Sequence, residues 1–124
     1  MGGTINSYRD LIVWQKAIVL AEAIYIESAK FSRDELYGLT SQMRRACVSI
    51  PSNIAEGYGR DQTGPYVQFL QIAQGSAREL ETQLILSGCL GMLDAKTSEK
   101  LLAECEEISK MLRSLIRVLE AQRP

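Results

Sequence analysis

The sequence predicts an all-α protein, an antiparallel up-down-up-down four-helix bundle with a kink at Pro51 in its second helix. Three observations predict it. Apolar residues recur at three-then-four spacing along most of the chain, the pattern of helices with a buried stripe. Turn-forming residues gather at three interior places, around 31–35, 57–65 and 88–94, and so divide the chain into four long segments. The links between those segments are a few residues long, which favours antiparallel neighbours. At 124 residues the chain is expected to be a single domain, 1–124, able to bury one core.

The first helix is expected from about Asp10 to Lys30, with Leu11, Trp14, Ala17/Ile18, Ala21, Ile24/Tyr25 and Ser28 on its buried stripe. Ile12, Val13, Val19, Leu20, Ala23 and Ile26 lie off that stripe and are apolar too. A helix apolar over more than half its circumference is buried on more than one side, so this surplus points to a subunit interface that includes Val13, Val19 and Ile26. Ser32-x-x-Glu35 has the form of a capping box for the second helix, which turns Leu36, Leu39, Met43, Ala46/Cys47, Ile50 and Ile54 inward. Gly57-Tyr58-Gly59 is expected to end it in the left-handed conformation that glycine adopts cheaply. Thr63 is the expected cap of the third helix, with Pro65 in its first turn, where a missing N–H costs nothing. That helix carries the heptad Tyr66, Leu70, Ala73, Ala77, Leu80, Leu84 and Ser87, and its small middle (Ala73, Gly75, Ser76, Ala77) invites close approach by another backbone. The fourth begins after Asp94 or Thr97, runs to about Gln122, and has Leu101, Cys105, Ile108, Leu112, Leu115 and Leu119 as its seam.

Composition excludes more chemistry than it suggests. The chain is 46% hydrophobic and 23% charged, with net charge −1, so no overall attraction to polyanions is expected. It contains no histidine, which removes the commonest general base, the Ser/His and Cys/His pairs and most catalytic zinc sites. Cys47, Cys89 and Cys105 are odd in number and in no metal-ligand spacing; each is expected to act as a small hydrophobe in a reducing, cytoplasmic setting. No catalytic residue, cofactor site or metal site is expected. MGGTIN resembles a myristoylation start, but Asn6 stands where serine or threonine is wanted, and no secretory leader is expected. The apolar run from Ala17 to Ile26, broken by Glu22, is too short to span a bilayer.

The densest stretch is Gln42 to Gly57, QMRRACVSIPSNIAEG. Pro51 removes a backbone donor and crowds the carbonyl four residues earlier, while Ser49, Ser52 and Asn53 can bond freed backbone groups. Asn53-x-x-Glu56 has the form of a second capping box, as if the helix restarts beyond a bend. The bend is either a locally repaired kink or a device that presents Asn53 and Glu56 to a partner or ligand. In an antiparallel hairpin with 1.5 Å rise per residue, Arg44 stands opposite Glu79 as an ion pair, whereas Arg45, about 100° round the helix, has no evident partner. Lys110, Arg113 and Arg117 share a face of the fourth helix beyond a run of glutamates. The helix macrodipole explains that order, yet the strip is also a candidate phosphate contact together with Arg44 and Arg45.

Leu11-x-x-Trp14-x-x-Ala17, Tyr37-Gly38-Leu39-Thr40-x-Gln42-x-Arg44-Arg45-Ala46, Ser49-Ile50-Pro51-x-Asn53-Ile54-Ala55-Glu56-Gly57 and Phe69-Leu70-x-Ile72-Ala73-x-Gly75-Ser76 carry a resemblance. In them the chain resembles the small four-helix-bundle proteins encoded within intervening sequences of bacterial 23S ribosomal RNA genes. The resemblance implies an antiparallel four-helix bundle that assembles as a homopentamer, in a family whose biochemical function is poorly defined. Because the residues offer no catalytic constellation, the role expected is that of a non-enzymatic interaction or scaffold protein. Distant relatives are accessory proteins of diversity-generating retroelements, where a basic pentamer binds nucleic acid and reverse transcriptase. The partners expected are therefore further copies of the chain, with RNA or DNA and a protein such as a reverse transcriptase as alternatives, and no membrane. The weakly acidic balance of this chain departs from the basic relatives.

Overall fold

A computed structural model describes residues 4–123 of the chain. Of the MGGTIN start, residues 1–3 lie outside the described residues. Four helices follow one another: α1 (Ile12–Ser28), α2 (Leu39–Tyr58), α3 (Thr63–Cys89) and α4 (Ala95–Ala121). Short 3-10 turns at Tyr8–Asp10 and Arg33–Glu35 precede α1 and α2. Among the described residues there is no strand.

Each helix packs on two others in a ring, α1 on α2, α2 on α3, α3 on α4 and α4 on α1, so α1 lies diagonally from α3 and α2 from α4. Cross-helix contacts run in opposite numerical order. Arg44 meets Ser28 while Cys47 meets Ala21, and Met43 meets Ser87 while Ser49 meets Ser76. Cys105 likewise meets Ala77 while Ser98 meets Leu84. Between these helices lies one core, in which Leu20, Ile24, Met43, Ile50, Ile54, Leu70, Leu80, Leu84, Ile108 and Leu112 are almost wholly enclosed.

Local chemistry sets the ends. Asp94 caps α4, its carboxylate accepting from the Thr97 N–H at 2.8 Å and from the Thr97 hydroxyl at 3.2 Å, which holds its carboxyl below the usual carboxylate range. Ser32 does not form the expected box: its hydroxyl accepts from Asp34 N and caps a 3-10 turn, while Glu35 reaches forward to the N–H of Leu39. Leu36 therefore falls outside α2 and is exposed rather than inward. Thr63 is the first residue of α3 and not its cap; Gln62 precedes the helix without a side-chain bond. Gly59 closes α2 in the right-handed region at φ −74°, and the left-handed stop occurs instead at Gly91, φ +74°, where Met92 N–H bonds back to Ser87 O at 2.9 Å.

In the small middle of α3, Ala73, Ser76 and Ala77 are buried against the neighbouring helices, with Cys105 Sγ 3.4 Å from Ala77 O, but Gly75 takes no part in the approach. Gly75 faces open space, whereas Gly57 lies against α3 so tightly that a Cβ there would stand 2.8 Å from Phe69 Cβ and 3.2 Å from Tyr66 O. α2 runs without interruption through Pro51, so Asn53-x-x-Glu56 restarts nothing. Asn53 Nδ2 instead donates to Ser49 O at 2.8 Å and to Ser49 Oγ at 3.0 Å, and Glu56 pairs with Arg60 at 3.1 Å.

Candidate functional site

The α1 face turned away from the core departs from that of a self-sufficient bundle. Ile12 is 60% exposed, Val19 60% and Ile26 57%, and their seven-residue spacing aligns them in one row within about 20° per step. Ile18 and Tyr25 widen the row, each more than two-fifths exposed. Along its α4 side, Lys16 bridges to Glu107 at 3.1 Å. Val13 does not belong to this surface: it is 5% exposed and packs in the core with Ala17, Leu20, Ile24 and Ser28. Ala17, Ile24 and Ser28 are buried as expected, and Val13 and Leu20, not Ile18 and Tyr25, complete the stripe, because α1 enters between α2 and α4 with that side facing the centre. Val19 and Ile26 remain exposed within the single protomer.

The two central arginines diverge as their 100° separation requires, but to other partners than expected. Arg44 makes no ion pair with Glu79. Its Nε donates to Ser28 Oγ at 2.9 Å, its Nη2 to Tyr25 O at 3.4 Å, and its guanidinium carbon lies 4.7 Å from the Tyr25 ring centroid. It thereby clamps the carboxyl end of α1, where a cation suits the helix dipole. Arg45 is the residue on the Glu79 side, and the two line the same groove between α2 and α3. Pro51 is buried toward α1, in a surface hollow it shares with Tyr8, Trp14 and Ile18.

Lys110, Arg113 and Arg117 are exposed on α4, and among the described residues none of them or Arg45 has a carboxylate within ion-pair distance. The structure does not join the five candidate cations. α2 and α4 are diagonal, and cross-helix contacts place Arg45 nearest the level of Glu79, whereas Arg113 lies past Cys105 toward the other end. At 1.5 Å per residue the two groups are separated by roughly 10–20 Å along the bundle as well.

The thiols divide by position. Burial pushes Cys47 up to about 11 and Cys105 up to about 12, while Cys89, at the end of α3, is exposed and not the enclosed hydrophobe expected. No group of three or more Asp, Glu or Cys among the described residues could hold a metal ion, and no helix of the described chain is long and apolar enough to cross a membrane.

Sequence reasoning missed the groove that contains Arg45. Its polar floor is made by Ser49, Ser76 and Gln83; in sequence Ser49 reads as a group that repairs the backbone around Pro51, Ser76 as part of a small-residue stretch, and Gln83 does not stand out. The only signal was serine and glutamine on the inward register of two helices.

No curated protein sequence matches the chain. Four chains of solved structures do, among them a protein of unknown function from the S23 ribosomal protein family of Bacteroides thetaiotaomicron VPI-5482. That protein is 25% identical, superposes with a TM-score of 0.77, and is matched over 85% of this chain and 98% of its own. The family model of the 23S rRNA-intervening sequence protein matches residues 9–114. With nearly all four helices inside that match, the chain belongs to the 23S rRNA-intervening sequence protein family.

Proposed function

We propose that the protein is a non-enzymatic, homo-oligomeric interaction protein that assembles through the outer face of α1, into the ring of five that the family resemblance implies. The observation that carries this is the row Ile12, Val19 and Ile26, each more than half exposed on a helix whose other face is already in the core. An aligned apolar row on a protomer surface is characteristic of a surface that a partner covers. Burial raises the Cys47 and Cys105 thiols well above their ordinary value, so neither is an activated nucleophile. Light scattering on the purified chain tests the assembly. A particle mass five times the protomer mass is expected, and a stable monomer overturns the proposal.

A second reading rests on Lys110, Arg113 and Arg117, three exposed cations on one helix without ion-pair partners among the described residues. Repeated around an assembly, they form a basic strip for structured RNA, in keeping with a family named for an insertion in ribosomal RNA genes. Mobility shifts across a salt series test it. Three phosphate contacts per protomer give a log–log salt slope of about −2 to −3, and no complex at low salt removes the reading.

A further inference from the structure

The groove on the outer side of the α2–α3 seam has a chemistry that neither self-association nor a phosphate strip uses. Gln42, Arg45, Ala46 and Ser49 line it from α2, with Ser76, Glu79 and Gln83 opposite. It is a half-open groove of about 520 Å³, a volume within the roughly 300–1,000 Å³ of small-molecule sites. It is hollow because Ala46, Ser49 and Ser76 stand where larger side chains would fill the seam.

Its polar groups are incompletely paired. Ser49 Oγ and Ser76 Oγ lie 2.7 Å apart, and Asn53 Nδ2 donates to Ser49 Oγ at 3.0 Å. Two hydroxyl protons serve one mutual bond, so the pair keeps one O–H to donate. Gln83 is 8% exposed, and its amide oxygen has no hydrogen-bond partner among the described residues. A buried acceptor left unpaired is costly, and because the Gln83 oxygen is closed off from solvent, a ligand N–H relieves that cost only once the Gln83 amide turns into the groove. On the rims stand Arg45 from α2 and Glu79 from α3, both exposed and neither in an ion pair among the described residues.

Opposite rim charges select against a simple ion of either sign. A phosphate drawn to Arg45 is repelled by Glu79, and a cation meets the reverse. The apolar row of a second α1 is also unsuited, since it would strip water from these polar groups without replacing their hydrogen bonds. We infer that the groove binds a free α-amino acid with a polar side chain. Its carboxylate takes the Arg45 guanidinium in paired hydrogen bonds and its ammonium faces Glu79. Its side-chain amide or hydroxyl meets the Gln83 amide and the spare serine hydroxyl on the floor. This assigns Arg45 to a dipolar ligand and not to a nucleic-acid backbone.

Calorimetric titration of the full chain with L-glutamine, L-serine and L-leucine tests the assignment, with circular dichroism confirming that each variant is folded. Glutamine and serine are expected to bind with Kd of about 1 mM or tighter, and leucine more weakly. Arg45→Ala and Glu79→Gln, both at exposed positions, are each expected to weaken glutamine binding about tenfold or more, as the loss of a charge-assisted hydrogen bond requires. Glutamine with its ammonium acetylated is expected to lose the Glu79 contribution, so Glu79→Gln no longer matters to it. Gln83→Leu, if folded, is expected to erase the preference for glutamine over leucine. Absence of binding by all three amino acids at about 10 mM, or binding indifferent to both rim substitutions, overturns the assignment. So does a single-stranded RNA oligonucleotide that needs Arg45 and binds more tightly to Glu79→Gln, because that pattern marks a phosphate site.

Discussion

Replacing Val19 with glutamate separates the two faces of α1. Full burial of a valine or isoleucine side chain is worth about 1.5–3 kcal/mol. Ile12, Val19 and Ile26 are 57–60% exposed in the protomer, so about 1–2 kcal/mol per side chain, or about 3–5 kcal/mol for the row, remains to be gained on assembly. Glutamate at 19 removes the valine share and adds a charge whose desolvation costs several kcal/mol. Association therefore weakens by at least about 3 kcal/mol, more than a hundredfold in the equilibrium constant. Within the protomer position 19 faces water, where a substitution changes stability by about 0.5 kcal/mol or less. Sedimentation velocity and thermal melts on the same samples read both quantities. The expected result is a dissociated chain that still melts cooperatively. Leu20→Ala is the control on the opposite face: Leu20 is 1% exposed, and its truncation costs about 2–5 kcal/mol of protomer stability. If Val19→Glu keeps the wild-type mass, the row is not the assembly surface.

Three further predictions concern the protomer. Gly57→Ala should destabilise the fold by about 1–3 kcal/mol in urea titrations, despite a helix-propensity gain of about 1 kcal/mol, because the new methyl would stand 2.8 Å from Phe69 Cβ. In the folded protein a thiol reagent near pH 8 should label Cys89 alone of the three cysteines, with Cys47 and Cys105 reacting only on unfolding. Their folded values of about 11 and about 12 lie above the ordinary 9.0, so between those limits the unfolded chain binds fewer protons. The stability they contribute is complete below about pH 9 and falls as pH rises toward 11 and then 12; denaturant midpoints measured across that window should decline.

Periodicity and punctuation were enough to determine that this chain is four helices with one core. Leu70, Ala73, Ala77, Leu80 and Leu84 on α3, and Leu101, Cys105, Ile108 and Leu112 on α4, are buried where their spacing put them. The hydrophobic effect acts along a single helix, so its stripe is written in that helix's own sequence. The seam of α1 was less legible, because a helix apolar on most sides does not say which side faces inward, and only packing between α2 and α4 chose Val13 over Ile18. Tertiary structure alone decided the partners of the polar groups. Whether Arg44 met Glu79 or the end of α1 turned on a rotation of a fraction of a turn. The groove around Arg45 exists only because small residues on α2 meet small residues on α3 at one level. Burial patterns are properties of one segment, whereas a site is a coincidence of several, and the register between helices that creates it is set by the packing of all four.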